Sequence, residues 1–218
     1  MRIKQYIIFL GCLLAASSCK EDEYVYPSVL TEMVDIKTDS SGKLSFISTD
    51  NGKAYQINER SGLEGFTPDS VYRTLSIFEP LETEGKDESA TLYSCQFVIS
   101  AVPSTEDSFK DGIKTDPLDI DRIWCSGNYI NMVLDVMAKD KTHILNFVDN
   151  GIEPNLEGSN TLTITVFHDQ NGDYEAFTKK AYASVPLWPY KDRLSEGDKI
   201  KIVINTYKEG ITTREFKY

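Results

Sequence analysis

Strict two-residue alternation, repeated along the chain, is the feature that most constrains its fold. From Asn128 to Ala138 the apolar residues Ile130, Met132, Leu134 and Val136 fall on one side. From Thr161 to His168, Leu162, Ile164, Val166 and His168 oppose a row of threonines, and Ile200, Ile202 and Ile204 repeat the pattern between Lys199 and Tyr207. Side chains that change face at every residue belong to strands, whereas a helix needs a period of 3.6. Turn chemistry interrupts these runs at Asp39-Ser40-Ser41-Gly42, Asp50-Asn51-Gly52 and Gln170-Asn171-Gly172, and Asn-Gly pairs favour tight hairpins with positive φ at both central residues. No stretch predicts a helix longer than a turn or two; Tyr190–Leu194 is the best candidate. The chain is therefore expected to be all-β.

The alternation also divides the chain. Leu30, Val34 and Ile36 define a first strand, Leu44–Thr49 a second, Lys53–Asn58 a third and Val71–Glu79 a fourth. Thr91–Ala101 is a fifth, with Tyr93, Cys95, Phe97, Ile99 and Ala101 on one face. Five short strands around a broad middle loop suit a small barrel of OB type, with an SH3-like barrel as the alternative. Pro103–Pro117, rich in Pro, Gly, Ser and acids, breaks the pattern; Phe109 and Ile113 give it the means to pack as a strap. The remainder reads as an antiparallel β-sandwich with a closing strand through Phe216 and Tyr218. The expected organisation is a signal peptide (1–18), a lipidated tether (19–28), an OB-like barrel (29–103), a strap (104–117) and a β-sandwich (118–218).

The first residues say where the chain is held. Arg2 and Lys4 head an apolar run from Tyr6 to Ala16, and the small residues Ala15-Ala16-Ser17-Ser18 lead directly to Cys19. That order is a secretory signal, too short to span a bilayer, and a cysteine at the first mature position makes it a lipobox, with Ala16 where Leu is commoner. Acylated Cys19 would be the anchor, since about 0.8 kcal/mol per buried methylene makes several acyl chains hold firmly. Lys20-Glu21-Asp22-Glu23 follows, a candidate tag for export to the outer face of an outer membrane; a periplasmic-facing lipoprotein is the alternative. A net charge of −11, more acidic still once Arg2 and Lys4 are cleaved away, repels phosphate backbones and argues against nucleic-acid partners.

Chemistry-bearing patterns are sparse. Asp169-Gln170-Asn171-Gly172-Asp173 spaces oxygens like a calcium loop, but Tyr174 and Lys180 stand where an EF-hand needs Gly and Glu; a hairpin turn explains it better. His168 prolongs an apolar strand face and is expected to be a hydrogen-bonded sheet-end residue, while His143, opening a strand after a turn, is expected to be exposed. No HExxH, GxSxG or CxxC occurs, so neither a catalytic residue, a metal nor a cofactor is expected beyond the lipid on Cys19. Cys95 and Cys125 are left as a possible disulfide in an oxidising envelope. Trp188-Pro189-Tyr190 is either a packed corner or a platform where Trp188 and Tyr190 stack on a sugar ring.

A series of segments gives the whole stretch from 19 to 218 a family likeness. Tyr26-Pro27-Ser28-Val29, Thr49-Asp50-Asn51-Gly52, Pro68-Asp69-Ser70-Val71-Tyr72-Arg73 and Glu79-Pro80 come first. Lys114-Thr115-Asp116-Pro117, Ile123-Trp124, Tyr129-Ile130-Asn131-Met132, Phe167-His168-Asp169, Val185-Pro186-Leu187 and Gly197-Asp198 follow. In this order they resemble the NigD-like lipoproteins of gut-type anaerobes. The resemblance implies an OB-like domain followed by a β-sandwich. It implies no catalytic residue, and through the bacteriocin gene cluster behind the family name it hints at immunity or export. Cys125 after Trp124 departs from the pattern. The expected activity is that of a non-enzymatic module binding an unidentified protein partner, with glycan binding or bacteriocin immunity as alternatives.

Overall fold

The computed structural model describes residues 28–81, 88–155 and 158–218. The expectations placed on the signal peptide, on Cys19, on Lys20, Glu21, Asp22 and Glu23, and on the start of the tether lie outside the described residues. Within them every long element is a strand. Strands β1 (Leu30–Thr38), β2 (Leu44–Thr49), β3 (Ala54–Ile57), β4 (Val71–Leu81) and β5 (Ser89–Phe97) close a barrel in the order β1-β2-β3-β5-β4. β3 and β5 run parallel while the other neighbours are antiparallel. This Greek-key closure is the OB arrangement, not the SH3-like alternative. Val34 and Ile36, as read from the alternation, are fully buried with Ile47, Phe78 and Leu92.

Two local expectations for the barrel are corrected. In the β2–β3 connection only Gly52 takes positive φ, at 86°. Thr49 N–H donates to the Lys53 carbonyl at 2.9 Å, so the loop holds three residues with glycine at the left-handed corner. On β5 the inward face is not the odd-numbered one throughout. A register shift at Ile77/Phe78 places Leu92 opposite Phe78 but Ser94 opposite Ile77. Tyr93 is the unpaired residue of this bulge, and the face inverts there. Ala90 and Leu92 point in, Tyr93 is exposed, Cys95 returns to the core, and Phe97 is 56% exposed.

The second half is a sandwich of β6 (Asp119–Ser126), β7 (Tyr129–Ala138), β8 (Ile144–Pro154), β9 (Asn160–Asp169), β10 (Phe177–Pro186), β11 (Lys199–Thr206) and β12 (Gly210–Lys217). One sheet has the order β10-β7-β6 and the other β12-β11-β9-β8. The inward residues read from the pattern, Ile130, Met132, Leu134, Leu162, Ile164, Ile200, Ile202 and Ile204, are all essentially fully buried. The sandwich is not wholly antiparallel, because β9 and β11 pair in parallel. Between them the chain crosses to the opposite sheet as β10 and returns through a 3-10 turn at Trp188–Tyr190, which restores the direction of β9.

The connecting segment lies flat on the sandwich. Ile99 N–H donates to the Tyr182 carbonyl at 2.9 Å, Ser104 bridges Val148, Thr115 bridges His168, and the Phe109 ring stacks on Phe167 at 4.9 Å. Strand β7 is buried on both faces. Its even residues line the sandwich core, and Val133 packs outward against Met33 and Val98 with Leu75, Trp124 and Tyr182 around them.

Candidate functional site

The barrel meets the sandwich through the outer faces of β1 and β4 on one side and of β7 and β10 on the other. Arg73 on β4 organises this contact. Its guanidinium donates to both carboxylate oxygens of Asp50, at 2.7 and 2.8 Å, to Asn131 Oδ1 at 2.9 Å, to Ser184 Oγ at 3.2 Å and to Asp35 Oδ1 at 3.3 Å. It also lies 3.9 Å above the Tyr129 ring. The Arg73 side chain is 2% exposed and that of Asp50 13%. Such a planar, bidentate, stacked site is one that arginine fills and lysine does not. Burial raises the Asp35 carboxyl above its ordinary value, against the lowering pull of Arg73. Burial, followed by the neighbouring Asp35 carboxylate, pushes the Tyr129 hydroxyl up to about 12. Tyr129 therefore remains a donor to Asp35, at 3.1 and 3.2 Å from its two oxygens.

The turn carrying Asp50 is seated against the β6–β7 hairpin at Gly127. A Cβ on Gly127, whose φ is +55°, would stand 2.9 Å from the Asp50 carbonyl oxygen. Gly127→Ala is therefore expected to lose about 1–3 kcal/mol through backbone strain, with the clash in addition. Gly210→Ala is the control: its φ is +67°, in the same left-handed region, and nothing lies within 4 Å. Urea unfolding midpoints should fall further for Gly127→Ala than for Gly210→Ala; equal losses would mean that the approach to Asp50 carries no energy.

Beside this clamp the two units part into an open cleft of about 380 Å³. Its floor is apolar, from Met33, Leu75, Val133 and Tyr182. Strand β6 supplies one wall through Arg122, Trp124 and Ser126, while Glu32, Asp50 and Asn51 rise from the barrel side. The Arg122 guanidinium lies 5.8 Å from the Trp124 ring centre. An apolar floor under a few polar groups is the usual composition of a binding cleft.

The residues singled out by the sequence lie elsewhere. Cys95, half-buried on β5, and Cys125, exposed on β6, are both free thiols, so the possible disulfide is not formed. Burial raises both thiols above their usual value. Tyr190 is 2% exposed and donates to Asp149 Oδ2 at 3.1 Å, whereas Trp188 is 53% exposed. The sugar platform proposed for the pair is therefore replaced by a packed corner. His143 is not exposed as expected: its side chain is 8% exposed, with Nδ1 2.9 Å from His168 Nε2 and Nε2 3.3 Å from Asp173. Asp173 draws the β7–β8 turn over the β9–β10 turn by accepting the Lys139 and Asp140 N–H groups at 2.7 and 3.3 Å, which covers His143. His168 is buried, with Nδ1 2.8 Å from the Asp116 carbonyl. Burial is the main cause that lowers its imidazole below the usual value. Asp169 pairs with Lys114 at 2.7 Å, so the carboxylates of the calcium-like loop serve hairpin and strap.

Sequence reasoning assigned no role to Arg73, Asp50, Tyr129 or Asn131, although each falls in a segment that carries the family likeness. One signal was present: Val133 is an apolar residue on the face of β7 opposite its inward row, which marks a second buried face.

An OB-like barrel clamped onto a β-sandwich beside an apolar-floored cleft defines a two-unit all-β protein. Residues 100–218 match the family model for the NigD-like C-terminal β-sandwich domain. The chain belongs to the NigD-like family. It is similar to the crystal structure of a NigD-like immunity protein from Bacteroides caccae, with 32% identity, a TM-score of 0.71 and coverage of 89% of this chain and 99% of that one. A protein of unknown function (DUF1344) from Bacteroides vulgatus shares the fold at 18% identity, TM-score 0.68, covering 88% and 91%. A candidate lipoprotein from Bacteroides fragilis does so at 13% identity, TM-score 0.56, covering 88% and 97%. No curated protein sequence matches the chain.

Proposed function

We propose that this chain is a lipid-anchored binding protein of the immunity type, which sequesters a proteinaceous toxin in the cleft between barrel and sandwich without transforming it. The observation that carries the reading is the cleft itself: an apolar floor and a tryptophan–arginine wall, held open by a buried arginine clamp that fixes its width. The anchor at Cys19 favours the same role, since a binding protein tethered at the outer membrane, facing outward through Lys20-Glu21-Asp22-Glu23, meets a toxin before it reaches its target. The name of the Bacteroides caccae relative, an immunity protein at 32% identity, points the same way. The glycan alternative loses its support because Tyr190 is in the core.

Deleting the gene tests this. The deletion strain, overlaid with culture supernatants of neighbouring strains, should show killing zones that the parent lacks, and the wild-type gene in trans should remove them. Identical zones for parent and deletion strain across the supernatants would overturn the immunity reading.

A further inference from the structure

The outer edge of β6 has no partner strand. Strand β6 is last in the order β10-β7-β6, and among the described residues none of its backbone groups bonds to anything beyond β7. In an antiparallel pair alternate residues turn their N–H and C=O away from the partner, so part of Arg122–Ser126 presents an open ladder. Two other edges of the sandwich are covered. Ile99 bonds along β10, and Ser104 bonds to both Phe147 and Asp149 on β8. Covering a strand with a paired segment is one way proteins close a sheet edge. On β6 the register shift at Ile120/Arg122 disrupts only the start of the strand; from Arg122 to Ser126 the pairing with Val133 to Tyr129 is continuous.

Three of these five residues, Arg122, Trp124 and Ser126, form the cleft wall. Arg122 and Trp124, two apart, share a strand face and both line the cleft, so a strand laid along the β6 edge would set alternate side chains beside these two cleft-lining residues. Arg122 has no carboxylate partner among the described residues. This is a cation without an ion-pair partner in a cleft that has an apolar floor and also holds Glu32 and Asp50, the latter already engaged by Arg73. Open ladder, apolar floor and unpaired guanidinium together select an extended peptide with an acidic group beside an apolar one.

We propose that the occupant of the cleft is an extended peptide segment that adds as a strand to the free edge of β6, setting an Asp or Glu carboxylate on Arg122 and, two residues away, a large apolar side chain against Trp124 and the cleft floor. Backbone hydrogen bonds supply affinity in this mode and the alternate side chains supply specificity. The inference rests on the binding reading above and names the chemistry of its ligand.

The probe is a phage-displayed library of random nine-residue peptides selected on the immobilised chain lacking its signal peptide, followed by the enriched sequence as a synthetic peptide. Enrichment of an acidic residue two positions from an aromatic or large aliphatic one is expected. Peptide binding should slow amide hydrogen exchange at alternate residues of Arg122–Ser126. Arg122→Gln should weaken binding at least tenfold with an unchanged Tm, and Arg122→Glu should shift the preferred acidic position to lysine. The proposal is overturned by an empty selection, by peptides that leave β6 exchange unchanged, or by undiminished binding to Arg122→Gln. It is equally overturned if β6 becomes protected as protein concentration rises without peptide, because the edge then serves a second copy of the chain. Failure here with intact protection of cells leaves the immunity reading standing; peptide binding without any killing zone on deletion does the reverse.

Discussion

Arg73→Ala is expected to cost about 3–5 kcal/mol, because it removes the charge partner of the largely buried Asp50 carboxylate and leaves it only the Asn131 Nδ2–H at 3.1 Å. The side chain is essentially inaccessible and gives up its bonds to Asp50, Asn131, Ser184 and Asp35 at once. Against a total stability of about 5–15 kcal/mol for a typical domain, this loss is large. It falls on the contact between barrel and sandwich, so urea unfolding should separate into two transitions where the parent shows one. Arg73→Lys should recover little, since an ammonium cannot form the fork to Asp50 or reach Ser184 and Asn131 together. The double variant Arg73→Met, Asp50→Asn removes both charges and should recover much of the loss, as buried ion pairs replaced as a unit often do. A loss below about 1 kcal/mol for Arg73→Ala, the scale of an exposed pair, would mean that the clamp does not hold the two units together.

Cys19→Ala is expected to move the protein almost completely from the membrane to the soluble fraction. No helix among the described residues is long and apolar enough to cross a membrane, and the acyl chains on Cys19 are the anchor read from the sequence. Losing them removes about 0.8 kcal/mol per buried methylene, enough to shift the partition by many orders of magnitude. Fractionation followed by immunoblotting reads the result. Retention of the variant in the membrane fraction would contradict the lipoprotein assignment.

What alternation could and could not reveal follows from its physics. It exposed the faces of β7, β9 and β11 because those strands bury one apolar row in the sandwich core. It misplaced part of β5, since the bulge at Tyr93 inverts the face without any change in composition. It could not reveal that β9 and β11 are parallel, because strand neighbours are chosen by tertiary connection and not by local pattern. Arg73 and Asn131 were invisible for a related reason: a polar residue at an outward position looks the same whether it meets water or a partner 58 residues away. His143 was hidden likewise, since its cover comes from Asp173 pulling one turn across another. The interface was legible only through Val133, apolar on the face of β7 opposite its inward row.

The most direct test of the account is survival of the deletion strain carrying Trp124→Ala or Trp188→Ala, each confirmed at the membrane in parental amount and challenged with a supernatant that kills the deletion strain. Trp124 is half-buried and Trp188 exposed, and of the two only Trp124 lines the cleft. Trp124→Ala should leave cells at least tenfold more sensitive than the wild-type gene does, while Trp188→Ala should protect fully. Full protection by Trp124→Ala, or loss of protection by Trp188→Ala alone, would contradict the assignment of the cleft between barrel and sandwich as the binding site.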